Sequence, residues 1–159
     1  MGEVEFVSPC SGPKFQSSSR ALRFSSYGES KEQMTAKKKA LSEARAGLAA
    51  TINTTVKGVT DTYVQSANYD NKERVTKHYE SLIREVVNQN LHKAVIICER
   101  MTITKRGRYK YYIALEQSNK DLLSSLNMAL ASNELVNSGY DYGKFLEVFE
   151  ATMSKLGNE

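Results

Sequence analysis

Cysteine, histidine and long apolar runs are all scarce in this sequence, and each shortage argues against a class of protein. Two cysteines among 159 residues are too few for a disulfide scaffold or a four-cysteine zinc site. No stretch approaches the roughly 20 apolar residues that cross a bilayer as a helix. The pattern therefore favours neither a disulfide-rich miniprotein nor a membrane-spanning protein.

The surroundings of the two cysteines predict that they are not joined. Cys98 lies in the run Ile96–Glu99, the setting of a strand residue, which favours a buried and inert thiol. Cys10 lies in a Ser-Pro-Cys-Ser-Gly loop that belongs to an extended lead-in, and a reactive thiol there would have no base near it in sequence. We therefore expect two free thiols.

The start of the chain carries no targeting signal. Met1–Gly2 is followed at once by Glu3, with neither a basic n-region nor an apolar h-region. Either the protein is cytosolic or its targeting segment lies upstream of these residues. Because Met1–Gly2 is joined to a chain that starts abruptly, the second interpretation is favoured.

Groups that carry chemistry are few and dispersed. The only imidazoles, His78 and His92, stand 14 positions apart, without a metal-ligand partner at helical spacing, and are expected to be structural. The sequence contains no nucleophile elbow, phosphate-binding loop, dinucleotide fingerprint or zinc-protease motif. Its carboxylates are spread over helix surfaces. We therefore predict no enzyme, no catalytic or metal-binding residue and no cofactor.

Composition and charge fit one soluble domain. Hydrophobic residues make up 40% and charged residues 25% of the chain, which are ordinary values for a globular protein. The net charge of +4 is mild, and only Lys37–Lys39 and Lys105–Arg108 form basic clusters. No linker divides the middle of the chain, so we expect a lead-in over residues 1–19 and a single domain over residues 20–159.

Three strands are predicted, besides a possible short edge strand at Val4 and Phe6 in the lead-in. Alternation over Arg20–Tyr27 predicts the first, ended by Gly28. Residues 94–104 and 109–117 are rich in β-branched and aromatic residues, and the turn Lys105–Arg108 between them contains glycine. They form a hairpin. On its return strand Tyr111, Ile113 and Leu115 lie on the same face.

Four helices are predicted around these strands. Ser30-x-x-Gln33 reads as a capping box for a long helix over residues 31–66, and apolar residues recur there at three-, four- and seven-residue spacings. A seam of small residues beside that stripe should lie flat on the sheet: Ala36, Ala40, Ala44 and Gly47. Three further helices follow: one over residues 70–91, one that begins at Ser118, and one around Tyr142–Met153.

The resulting order is β-α-α-β-β-α-α. The simplest fold for this order of elements is α+β. In it a small antiparallel sheet, made of one strand plus a hairpin, packs against the long helix and the further helices.

The basic hairpin tip supports an alternative function. Lys105–Arg108 could contact phosphates, and the nearby Tyr109, Tyr111 and Tyr112 could stack on bases. At least one of these tyrosines must point into the core, however, and charged hairpin tips are mostly solvated turns. No nucleic-acid partner is therefore expected, and Lys37–Lys39 is read as a solvated helix face.

Several segments, in this order, resemble a known family. They are Arg20–Phe24, Gly28–Ser30, the spaced Ala36, Ala40 and Ala44 leading to Arg45 and Leu48–Ala49, Val56–Tyr63, Arg84–Val87, and Tyr109–Leu115. This order is similar to the LPP-twenty lipoprotein family, in the version of gut Bacteroidetes-type bacteria, which also has a lead-in like Pro9–Gly12. The resemblance covers about residues 9–117. Phe24–Tyr27 departs from it, because family members often carry more glycine there.

The resemblance implies a periplasmic or surface lipoprotein of the bacterial cell envelope, with its role unknown. Its anchor would be an acylated cysteine upstream of residue 1 rather than Cys10. Relatives include envelope antigens and a flagellar-basal-body assembly protein, but the family has no agreed catalytic residues to transfer. The expected partners are envelope proteins or further copies of this chain.

Three functions therefore compete. The first is a non-enzymatic envelope protein that binds or scaffolds other proteins, with Tyr140, Tyr142 and the tyrosine-rich return strand as interface aromatics. Tyr140 and Tyr142 could instead pin the last helix to the core, the more so Tyr142. The second is a small-ligand or nucleic-acid-binding domain that uses the basic, tyrosine-rich hairpin. The third is an enzyme of unrecognised type, which would need converging titratable groups.

Overall fold

The computed structural model describes residues 2–67 and 69–157. Its elements, in chain order, are β1 (Ala21–Ser30), α1 (Gln33–Ser66), α2 (Lys72–Leu91), β2 (Val95–Ile103), β3 (Tyr109–Ser118), α3 (Asn119–Ser132), α4 (Glu134–Asn137) and α5 (Tyr142–Ser154), with a 3-10 turn at Pro13–Phe15. This confirms the predicted α+β class and the β-α-α-β-β-α-α order. The short α4 occupies the predicted break before the last helix.

The three strands form one antiparallel sheet in the order β1-β3-β2. The return strand of the hairpin lies in the centre, because β1 pairs with β3 along its whole length, from Ala21 opposite Ser118 to Ser30 opposite Tyr109. The other hairpin strand, β2, is left at an edge. Its pairing with β3 contains a β-bulge between Ile96 and Cys98.

The long helix α1 lies across one face of β1 and β3, as its small-residue seam predicted. Ala36, Ala40 and Ala44 are completely buried. Two glycines permit the close approach. A Cβ on Gly28 would lie 2.4 Å from the Ala36 carbonyl oxygen, and the Phe24 ring fills the space where a Cβ on Gly47 would stand.

Three details of the predicted boundaries are wrong. Gly28 does not end β1; the strand passes through it, because its missing side chain is needed against α1 rather than in a turn. Ser30 belongs to the strand, and Glu32 is the N-cap residue of α1, with no side-chain capping bond. Val4 and Phe6 form no strand and are exposed.

The helices after β1 complete the core on the same side of the sheet. A buried polar link joins two of them to the sheet: the Asn90 side-chain oxygen of α2 accepts from Gln117 of β3 at 3.2 Å and from Ser125 of α3 at 3.3 Å. Leu122, Leu126 and Leu130 of α3 are buried beside Phe145, Phe149 and Met153 of α5.

The prediction of two free thiols is wrong. Cys10 and Cys98 form a disulfide, with their Cα atoms 5.6 Å apart and 88 positions between them in sequence. The lead-in docks onto the face of the sheet that α1 does not cover, and there Cys10 packs with Tyr112 and Ala114. Cys98 is only half-buried, since β2 lies at the sheet edge rather than inside the core.

The docked lead-in also protects the outer edge of β1. The Ser17 hydroxyl accepts from the Arg23 amide at 3.0 Å, and the Ser18 amide donates to the Ala21 carbonyl at 2.8 Å. Arg23 in turn forms an ion pair with Glu116 at 2.7 Å and donates to the Gln16 carbonyl. The lead-in is thus a fixed part of the domain from about residue 8 onward.

Candidate protein-binding surface

The groups that could perform chemistry do not converge. His78 is half-buried on α2, and His92 is exposed just beyond its end. Within residues 2–67 and 69–157, no three His, Cys, Asp or Glu side chains gather in a way that could hold a metal ion. Cys10 and Cys98 are consumed by the disulfide. In this same described part, no helix is long and apolar enough to span a bilayer.

The hairpin tyrosines do not form a stacking platform. Tyr111 and Tyr112 are both buried and point to opposite faces of β3. Tyr111 donates to the Glu99 carboxylate, and burial together with that bond raises its pKa to about 12. The basic turn is partly neutralised, because Arg108 lies 3.5 Å from Glu29. The geometry for base stacking beside the basic tip is therefore missing at these two tyrosines.

Of the two tyrosines before the last helix, Tyr140 packs against the core and Tyr142 is exposed, which is the reverse of what the sequence favoured. Tyr140 is the one that pins α5: its ring packs edge-on against Tyr63 and Phe145, and its hydroxyl donates to Asn127 at 2.7 Å. Tyr142, the residue favoured for that role, is exposed. Tyr142 shares the i, i+3, i+7 spacing of Phe145 and Phe149, but it is the first residue of α5 and lies exposed at the end of the helix.

The outer edge of β2 is the main unprotected feature of the sheet. Cys98, Arg100 and Thr102 stand opposite Ala114, Tyr112 and Lys110 of β3, and Thr104 continues this hydrogen-bonded parity by donating to the Arg108 carbonyl. In an antiparallel ladder the intervening residues direct their main-chain groups to the other side. Glu99, Met101 and Ile103 therefore present their amides and carbonyls outward, and no main-chain partner meets them there in the described chain.

Apolar side chains accompany this open main chain. Met101 is 44% and Ile103 62% exposed, and Val95 and Ile96 are exposed beyond the bulge. Among the described helices none covers β2 as α1 covers β1 and β3, and the extensive packing of β2 is against β3. We call the outward main chain of Glu99, Met101 and Ile103, together with the side chains of those residues, the β2 edge.

Charged groups frame the β2 edge on the helix side. Lys37 of α1 lies 3.9 Å from the Glu99 carboxylate and 5.7 Å from the centre of the Tyr111 ring. Met34, one helical turn before Lys37, is exposed as well. The edge therefore combines unpaired main-chain groups, apolar side chains and one ion pair. An exposed sheet edge of this composition can pair with a further strand.

The two edges of the sheet are protected to different degrees. Ser17 and Ser18 occupy the β1 edge at Arg23 and Ala21, and Lys39 reaches the Glu29 carbonyl at 3.2 Å. Serine and lysine caps of this kind block the addition of a further strand. The β2 edge has no such cap among the described residues.

Open grooves offer a weaker case for a small ligand. One groove, of about 990 Å³, runs between β1 and α1 and is lined by Phe24, Tyr27 and four charged side chains. Two of those are lysines, Lys38 and Lys39, and two are glutamates, Glu29 and Glu43, so the groove has no net preference for an anion. A smaller apolar pocket of about 360 Å³ lies between α3 and α5.

Comparison of the chain with models of protein families, with curated proteins and with solved structures finds no match. The residues themselves must therefore carry the functional argument.

The β2 edge was not among the features singled out from the sequence. The run Val95–Thr104 predicts a strand but gives no sign of which neighbours cover it. Its one available signal is negative: Glu99 and Arg100 interrupt the apolar run, which is unusual for a strand buried on both faces.

Proposed function

We propose that this protein is a non-enzymatic binding module of the bacterial cell envelope, which recognises other proteins by accepting a β-strand at the β2 edge. The observation that supports it most is the open main chain of Glu99, Met101 and Ile103 beside exposed apolar side chains. Strand addition at an exposed sheet edge is a common mode of protein recognition, in which the main chain supplies affinity and alternate side chains supply specificity.

The disulfide supports the envelope assignment. Disulfides persist in oxidising compartments such as the periplasm and the cell surface and are rare in reducing cytosol. The bond between Cys10 and Cys98 therefore favours an oxidising compartment of the envelope over the cytosol. Membership of the LPP-twenty family, and a lipid anchor upstream of residue 1, remain part of the proposal and rest on the resemblance alone.

Substitution of Met101 tests the binding surface. Met101→Lys introduces a charge at the centre of the β2 edge and should abolish complexes with a partner strand, because the charge must be desolvated on binding. Met128→Lys is the matched control, since Met128 is an exposed methionine of α3, at 70%, outside the sheet. Both variants should melt within a few degrees of the wild type.

Photo-crosslinking in cells identifies the contact. A photoreactive side chain at position 101 should yield defined adducts whose crosslinked peptides are identified by mass spectrometry, and the same group at position 128 should not. Adducts of equal yield at both positions, or complexes that survive Met101→Lys, would place the binding surface elsewhere on the molecule.

A further inference from the structure

We infer that the strand accepted at the β2 edge is the β2 strand of a second copy, paired antiparallel across a two-fold axis centred on Met101. This inference rests on the proposed function and names its partner. It would join two three-stranded sheets into one continuous sheet. The shape and charge of β2 determine this partner and register.

The regular part of β2 fixes the length that can pair. The bulge between Ile96 and Cys98 interrupts the ladder at one end, and the turn that begins after Thr104 ends it at the other. A bulge bends its strand and terminates regular pairing. The segment available for a new ladder is therefore 98–104, whose middle residue is Met101.

Two-fold symmetry restricts the register further. An antiparallel strand pair related by a two-fold axis places one residue opposite its own copy. When Met101 takes that position, the whole regular segment pairs, with Glu99 opposite Ile103 and Arg100 opposite Thr102 of the other copy. Because these residues alternate as in any ladder, the outward main-chain groups of Glu99, Met101 and Ile103 meet one another.

Charge excludes the two neighbouring registers toward the bulge. Centring on Arg100 places two arginines directly opposite each other, and centring on Glu99 does the same with two glutamates. Like charges at directly opposed positions destabilise a strand pair. In the Met101-centred register no like charges are directly opposed, because Glu99 faces Ile103 and Arg100 faces Thr102, and the two Arg100 side chains stand only diagonally.

Burial of apolar side chains adds to the main-chain bonds. Met101 and Ile103 are exposed in the single chain. In the joined sheet Met101 faces its own copy, and Ile103 lies diagonal to Met101 of the other copy, on the helix side. Tyr27 and Glu29 of β1 take no part, because that edge lies on the other side of β3. In the part of the chain that the structure describes, the β2 edge is the only sheet edge open in this way, so the assembly closes as a dimer and does not extend.

Disulfide trapping measures the register directly. Opposed hydrogen-bonded residues have Cα atoms about 5.5 Å apart, within the range of a disulfide, so the Met101→Cys protein should form a covalent dimer under mild oxidation. The matched Arg100→Cys and Glu99→Cys proteins should not, since Arg100 lies only diagonal to its own copy and Glu99 lies four positions along the strand from its own copy. They also report any exchange with the native bond between Cys10 and Cys98.

Sedimentation of the intact protein measures the association. The wild type should sediment as a dimer at micromolar concentration. Met101→Lys, which opposes two lysines at the axis, should weaken the dimer by roughly tenfold or more, and Met128→Lys should leave it unchanged. Covalent dimers through position 99 or 100 rather than 101 would overturn the register.

The outcomes separate this inference from the proposed function. A wild type that stays monomeric, with position 101 crosslinked in cells to a different protein, would overturn self-pairing and leave strand addition at the β2 edge standing. A monomer without any adduct at position 101 would overturn both.

Discussion

At the scale of single residues, Gly28 shows how one missing side chain decides the packing of the sheet. A Cβ there would meet the main chain of α1, at the Ala36 carbonyl and the Ala40 amide. Main-chain atoms cannot swing aside as a flexible side chain can, so the helix must move. The sequence presents Gly28 as a strand terminator, because a glycine in a strand pattern signals a break, a bulge or a close approach, and only the folded neighbours separate these.

We expect Gly28→Ala to lower the free energy of unfolding by about 1–3 kcal/mol through overpacking. Gly58→Ala is the matched control, because the space around Gly58 is open and the residue lies within α1. There alanine should raise stability by about 0.5–1 kcal/mol through helix propensity. Urea unfolding of both variants checks the pair. Equal effects of the same sign would mean that α1 does not touch β1 at Gly28.

At the scale of elements, α1 is the part of the fold that the sequence predicts best. Its stripe and its small-residue seam depend only on local spacing, and most of both appears in the buried set of the helix. Met34, at the start of the stripe, is exposed, and Leu41 and Gly47 are partly buried. The position of β2 depends instead on strand order. A run such as Val95–Ile97 suits a core strand or an edge strand equally well, and only the placement of β3 between β1 and β2 leaves it exposed.

The lead-in could not be placed from sequence for a similar reason. It has no periodic pattern, and its docking depends on contacts made far along the chain: the Ser25 hydroxyl donates to the Cys10 carbonyl at 2.7 Å, and Phe15 packs beside Tyr112. The disulfide depends on that docking, which is why the setting of Cys98 alone led to the wrong pairing state.

Reduction of the disulfide should loosen the lead-in and destabilise the domain. Closing a loop of this length, with a sequence separation of 88 between the cysteines, contributes about 4.6 kcal/mol in the chain-entropy account. We expect urea unfolding with a reductant to show a loss of up to this size. Hydrogen exchange at Arg23, whose amide is bonded to Ser17, should speed up before that of the central strand.

The Cys10→Ser, Cys98→Ser double variant is the control, since it should match the reduced protein and ignore the reductant. Thiol titration of the denatured, unreduced wild type should find no free thiol. A count of two free thiols would contradict the disulfide and mean that the cysteines are unpaired, as the sequence suggested.

At the scale of the whole molecule, aromatic hydroxyls buried between α1, α2 and α5 tie the helical half together. The Tyr63 hydroxyl accepts from the Asp141 amide at 2.8 Å, and the Tyr69 hydroxyl donates to the Val136 carbonyl at 3.0 Å and lies 3.2 Å from that of Tyr79. Burial is the largest cause that raises the pKa of Tyr63, Tyr69 and Tyr79 above the ordinary value of 10.0. Burial likewise raises the pKa of Tyr140.

These shifts predict that the protein loses stability in alkali. A tyrosine whose pKa is raised on folding stays protonated in the native state while the unfolded chain ionises near pH 10, so its contribution is complete below pH 10 and falls as pH rises. For Tyr111 the loss ends near its folded pKa of about 12; for the more deeply buried Tyr79 it continues beyond that. Each such group steepens the fall by about 1.4 kcal/mol per pH unit.

Removing one hydroxyl, as in Tyr79→Phe, should lower stability at neutral pH, since Tyr69 loses its partner, yet make the decline above pH 10 shallower by that amount. Urea unfolding of both proteins between pH 8 and pH 12, in high salt to screen the titration of surface lysines, compares the two slopes. Parallel slopes would mean that Tyr79 ionises as readily in the folded protein as in the unfolded chain, and that the hydroxyl cluster is open to water.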